Sequence, residues 1–149
     1  MWLLILGAAI AVFGGVLGYE YNAWRDSCRE LKSIKVSLCD ELGDIESTIK
    51  SMHEVWDKSK TLYPSYLETL QQNTTAFDGL RERLFLIGES ALRKKVVDYY
   101  RKLKDAVKEY QGKIGSLANT DQAKAEQANI AAAFKTLETE AKNIREGLE

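Results

Sequence analysis

The sequence predicts an all-α protein: an N-terminal transmembrane helix that continues into a long helix, which packs in an antiparallel helical bundle or coiled coil. Three observations predict it. Residues 2–18, WLLILGAAIAVFGGVLG, carry no charge, and every Asp, Glu, Lys and Arg lies in 19–149. Downstream, apolar residues recur three and four apart over long stretches, the period of one helix face. No segment sustains strand alternation, and there is a single Pro in 149 residues. The net charge of −1 and mean hydropathy of −0.31 describe an average soluble chain only because they average two unlike parts. The expected division is an anchor over 1–21 and a helical bundle domain over 22–149.

The anchor comes first. Residues 2–18 make about 26 Å of helix, slightly short of a roughly 30 Å hydrocarbon core. Trp2 at one end and Tyr19, Tyr21 and Trp24 at the other suit the two interfaces. A cleaved signal normally has a basic n-region, and no Lys or Arg precedes this run. Ala9-Ile10-Ala11 resembles a cleavage site but is followed by more apolar sequence. A buried soluble helix is the remaining alternative. Arg25, Arg29, Lys32 and Lys35 follow the span closely, so the positive-inside rule places the C-terminal bulk in the cytoplasm, at the inner membrane. Two cysteines without a disulfide framework agree with a reducing compartment. Gly7, Ala11, Gly14 and Gly18 share one helix face, and Gly14 and Gly18 form a GxxxG pair. Small residues let two backbones approach in lipid, so this face is the candidate for transmembrane self-association.

The long helix is next. Leu17, Tyr21, Trp24, Cys28, Leu31, Leu38, Leu42, Ile45, Ile49, Met52 and Trp56 form a heptad seam, with Lys35 at a skipped position and Ile34 beside it. The seam leaves the span without a phase break, so one helix of about 90 Å is expected from residue 2 to about 62, its extramembrane part being 22–62. A hinge near Tyr19–Asn22 is the alternative. Pro64 stops this helix. Short helices are expected over 65–87, the first with a capping box of Ser65 and Glu68, the last ending at Gly88. Leu92, Val96, Tyr99, Leu103, Val107, Tyr110, Ile114 and Leu117 mark a helix over 90–117. Asn119, Thr120 and Asp121 are N-cap types for a last helix over 121–147, carried by Ile130, Phe134, Leu137, Ala141, Ile144 and Leu148. Short turns favour folding back as an antiparallel bundle; a parallel coiled coil of several chains is the competing arrangement.

Chemistry is sparse. His53, the only His, flanks the seam without a nucleophile motif. Cys28 and Cys39 lie about 16 Å apart along one helix and read as buried free thiols. Asp40, Glu41, Asp44 and Glu46 read as a solvated acidic face, and no Glu-x-x-His pair marks a di-metal bundle. Asn73-Thr74-Thr75 is a glycosylation sequon that a cytoplasmic domain would leave inert. No Walker, GxGxxG, HExxH or GxSxG motif occurs. Neither catalytic residues, a metal nor a cofactor is expected, and the charge balance argues against nucleic acid as a partner. One asymmetry stands out. Residues 81–113 hold ten basic against five acidic side chains, and Lys94, Arg101, Lys104 and Lys108 share roughly one helix side, a candidate anionic-ligand face.

The segments GGVLGYEYNAW, RELKSIKVSLCDELGDIEST and KKVVDYYRKL together resemble a group of prokaryotic single-pass membrane-anchored helical proteins without assigned activity. That resemblance implies topology and helical content only. The layout also loosely resembles the inner-membrane spanins of phage lysis, whose coiled-coil body lies in the periplasm, opposite to the basic-residue count here. The expected function is therefore a non-enzymatic membrane-anchored scaffold or interaction module. Its expected partners are the bilayer, further copies of the chain and a protein. A sensor binding an anionic ligand on helix 90–117 and a periplasmic spanin-like stalk are the alternatives.

Overall fold

The computed structural model describes residues 2–116 and 121–149, with side chains from Gly18 onward except at 112, 114–116, 121 and 122. Five α-helices and a 3-10 helix are present, with no strand among the described residues. They are α1 (Trp2–Ser59), α2 (Pro64–Gln72), α3 (Thr75–Leu80), the 3-10 helix (Arg81–Leu86), α4 (Ser90–Ser116) and α5 (Asp121–Leu148). The chain divides into two compact units, Met1–Ser33 and Ile34–Glu149.

The first unit is helical from Trp2 to its end and carries no buried side chain among those described. Tyr19, Tyr21 and Trp24 are 77%, 59% and 63% exposed. Among the described residues no helix is long and apolar enough to cross a membrane. The proposed span, with Gly7, Ala11 and Gly14, falls on residues whose side chains lie outside that description. Gly18 is described, and a Cβ added there would meet nothing within 4 Å.

The second unit is an up-down-up-down bundle whose pairings follow from contacts in opposed order. Along α1, Glu41 meets Ala76 and Phe77, while Thr48, further on, meets the earlier Asn73. Between α4 and α5, Lys102 reaches Glu140 and Lys113 reaches Glu126. Between α1 and α5, Lys35 reaches the carbonyl of Leu148, while Leu62, just past α1, meets Gln127. Each pair therefore runs antiparallel, and the four arms close on one core. Ile34, Leu38, Leu42, Ile45, Ile49 and Met52 line it from α1, all 0–1% exposed. Leu67, Leu70, Phe77, Val96, Tyr99, Tyr100, Leu103, Ile130 and Phe134 fill it from the other elements. Phe77 stacks on Tyr100 at 4.1 Å, and Tyr99 meets Tyr100 edge-on at 5.4 Å, geometries that aromatic quadrupoles favour.

Three local expectations need correction. The long helix stops at Ser59, short of 62, because Lys60 adopts φ 53 while its N–H still bonds to Trp56 O at 2.8 Å. A left-handed residue cannot continue a right-handed helix. Pro64 then starts α2 as its first helical residue, where a missing N–H costs nothing. The capping box is absent: Tyr63 takes the N-cap position, and no side chain caps that end. The region 65–87 is two α-helices and a 3-10 helix. The boundaries Ser90–Ser116 and Asp121–Leu148 lie within a residue of those expected, and the N-cap types Asn119 and Thr120 fall outside the described residues.

Candidate functional site

Helix α4 carries the basic face nominated from sequence. Lys94, Arg101 and Lys108 stand seven residues apart and align along the helix, with Lys104 turned toward α3. Two of the four cations are already occupied. Arg101 pairs with Asp98 at 2.5 Å, and Lys104 pairs with Asp78 while lying 5.6 Å from the centre of the Phe77 ring. Lys94 and Lys108 make no ion pair among the described residues.

Nor do the four converge. Lys104 and Lys108 border a groove of about 510 Å³ between α2–α3 and α4, floored by Leu70, Leu103 and Val107. Arg101 borders a second groove of about 450 Å³ between α4 and α5, where Asp98 and Glu140 supply opposite charge. Lys94 borders a shallow depression of about 480 Å³ at the 3-10 helix, beside Phe85, which is 66% exposed. An anion at any one of these places meets two nominated cations at most.

The strongest polar feature of the bundle lies elsewhere. Glu41 was grouped with a solvated acidic face; it is 7% exposed. Its carboxylate accepts the Ala76 N–H at 2.5 Å and the Phe77 N–H at 3.2 Å. These are free amides of the first turn of α3, whose own N-cap Thr74 makes no side-chain cap. Glu41 thus caps a helix from another arm of the bundle. Burial pushes its carboxyl above the ordinary range, against the lowering effect of the nearby Tyr100 hydroxyl and of those two amides. The Tyr100 hydroxyl is buried beside this carboxylate without a well-aligned hydrogen bond. The sequence did hold a signal for this residue: Glu41 follows Leu38 by three and precedes Ile45 by four, so it stands on the seam face.

The rest of the acidic group divides. Asp40 and Asp44 are exposed, whereas Glu46 pairs with Arg145 at 3.1 Å in a half-buried setting. Burial raises the Glu46 carboxyl, with the Arg145 guanidinium opposing it. Gly43 lies beside that guanidinium, and a Cβ there would sit 3.7 Å from Arg145 Nη1, an ordinary contact. The expectation of two buried thiols also fails. Cys28 is exposed, and Cys39 is half-buried with its thiol 4.0 Å from the Arg145 carbonyl.

Comparison with protein families, curated proteins and solved structures finds no match. The reading of function therefore rests on the chain's own residues. His53 is half-buried with its Nε2 unpartnered, and burial together with Lys135 lowers its pKa. No group of three His, Cys, Asp or Glu suited to a metal ion occurs among the described residues. Asn73 of the sequon is half-buried and donates to Thr48 Oγ1 at 3.3 Å. Lys35, at the skipped seam position, reaches the Leu148 carbonyl at 2.6 Å, placing a cation at the C-terminus of α5 where the helix dipole favours it.

Proposed function

We propose that the chain is a non-enzymatic, single-pass membrane-anchored scaffold or interaction module, homo-oligomeric, with its bundle carried at the cytoplasmic face of the inner membrane. One observation carries the reading. The charge-free stretch 2–18 and the core residues from Ile34 to Met52 belong to one uninterrupted helix, Trp2–Ser59. A segment of that length and composition matches a bilayer core, and the bundle supplies its own stable fold beside it. The outer faces of the bundle, dense in charges, are the surfaces on which a protein partner would dock. An anionic-ligand site on α4 is the weaker reading, since Asp98 and Asp78 already hold Arg101 and Lys104.

The test is alkaline carbonate extraction of membranes containing the full chain, followed by protease treatment of sealed inverted vesicles. The reading expects the chain to stay in the pellet and the bundle to be digested from the cytoplasmic side. Release into the supernatant contradicts the anchor. Digestion only from the periplasmic side overturns the orientation and favours a spanin-like stalk.

A further inference from the structure

Segment 19–33 of α1 is a helix with an aromatic and apolar stripe that stands open from Tyr21 to Cys28 and is half-buried at Leu31. Tyr21 and Trp24 are more than half exposed, Cys28 is exposed and Leu31 is half-buried. Tyr21 and Trp24 lie ring to ring at 6.1 Å, forming one ridge. The spacing is three, four and three, so these residues occupy alternating a and d positions of a heptad. Asn22, Ala23, Asp26, Arg29 and Glu30 fall on the other positions facing away.

What covers the stripe is decided by distance and charge. If the bilayer core ends near Gly18, Cys28 and Leu31 lie about 15 and 20 Å further along the helix. The headgroup layer extends only roughly 5–8 Å, so lipid accounts for Tyr19 and Tyr21 but not for the remaining ridge. The flanking charges select a second copy. With Tyr21 at a, Glu20 takes position g and Arg25 the following e. In a parallel pair in register, g of one helix faces e of the next heptad on its partner. Glu20 therefore meets Arg25 of the other copy, twice by symmetry. Both are exposed, and neither makes an ion pair among the described residues. The phase extends upstream as well: Gly7, Ile10, Gly14 and Leu17 continue the same a and d positions, and α1 runs through them without interruption.

We infer that two copies of this chain pair in parallel and in register through segment 19–33, with Tyr21, Trp24, Cys28 and Leu31 as the seam and Glu20–Arg25 pairs fixing the register. The parallel direction rests on the anchor reading, since two spans inserted from one side run the same way. The interface is short, so the span and the seam act together in holding it.

The test uses the full chain reconstituted at low density in phosphatidylcholine–phosphatidylglycerol vesicles, with a short bismaleimide as the probe. A covalent dimer is expected for the native chain and for Cys39→Ser, and its loss for Cys28→Ser. Glu20→Arg and Arg25→Glu each turn two attractive pairs into repulsive ones, for a fall in dimer of roughly fivefold. Mixing these two variants restores attraction on both sides and recovers cross-linking as a heterodimer. These substitutions touch no core residue, and an unchanged circular dichroism spectrum confirms the fold. A dimer formed through Cys39, no dimer at all, or charge variants that cross-link like the native chain overturns the pairing. Carbonate release identifies failure of the anchor separately. The same reaction on the dispersed full chain then reads the pairing alone, with a Cys28 dimer upholding it and its absence overturning it.

Discussion

Helix α1 has two stretches with the same period and different surroundings. In 34–52 the seam residues are buried to the last few square ångströms, while in 19–33 Tyr21, Trp24 and Cys28 stand in the open and only Leu31 is half-buried. The heptad pattern specifies which face of a helix is apolar, and says nothing about what covers it. In the second unit the cover is supplied by the same chain, because α2 to α5 bring Leu67, Phe77, Val96 and Phe134 to the seam. The seam residues differ in kind, too. The covered stretch uses Ile and Leu, which fill a core at well-defined rotamers. The other stretch uses Tyr, Trp and Cys before its single Leu31, mostly amphipathic or small groups that suit a wet or membrane-adjacent contact.

Breaking the core gives the largest effect. Leu42→Ala is expected to lower the stability of the bundle by about 2–5 kcal/mol, while Trp24→Ala changes it by under about 0.5 kcal/mol. Chemical unfolding followed by circular dichroism of the second unit's transition reads both; equal losses would erase the distinction between the two stretches.

The remote cap comes next. Glu41→Ala leaves the buried Phe77 amide and the part-buried Ala76 amide of α3 without an acceptor and is expected to cost about 1–3 kcal/mol, with the loss concentrated in hydrogen-exchange protection of α3. Glu41→Gln keeps an acceptor and removes the charge. Because burial raises the Glu41 carboxyl above 4.5, the folded state binds its proton more tightly than the unfolded state. The stability of the native chain relative to Glu41→Gln is therefore greatest below pH 4.5 and declines as pH rises through the raised folded value. His53 has the opposite slope. Its folded pKa lies below 6.5, so its contribution is complete above pH 6.5 and is lost as pH falls through the depressed value. Stability curves of Glu41→Gln and His53→Leu against pH check both signs, and parallel curves for the two variants would refute them.

Smaller effects follow. Gly43→Ala places a Cβ in ordinary contact with Arg145 inside a long helix, so a gain of about 0.5–1 kcal/mol is expected in thermal unfolding. Lys104→Ala removes a partly exposed ion pair with Asp78, and a loss of about 1 kcal/mol or less is expected, shrinking with added salt.

These contrasts also mark how far the sequence was readable. Helices α4 and α5 were legible almost to the residue, because a strict apolar period reports a face and Gly88 breaks the chain just before α4. The end of α1 was not, since the residue that turns left-handed is Lys60, a type that carries no turn signal. Region 65–87 was recognised as helical but not resolved. Its short elements are held by tertiary contacts, above all the Glu41 carboxylate from an arm more than thirty positions earlier. The basic face was visible as composition, and Asp98 stands three positions before Arg101 on the same helix, whereas the pairing of Lys104 depends on where Asp78 arrives in space. Local patterns report local structure; for Lys104 a partner distant in sequence decides whether the charge remains available.

We propose that α1 joins a membrane segment to a bundle stable on its own account, so that each part fails independently. The direct measurement is carbonate partitioning of the full chain, paired with the thermal transition of the bundle, for the double variant Ile10→Lys/Val12→Lys and for Leu42→Ala. Each lysine near the middle of the proposed span would cost about 2.5–3.5 kcal/mol of insertion free energy. The account predicts that the lysine variant leaves the membrane pellet with its transition unmoved, while Leu42→Ala stays in the pellet with its transition lowered. A lysine variant that stays in the pellet, or that loses the bundle transition as it leaves, would contradict the account.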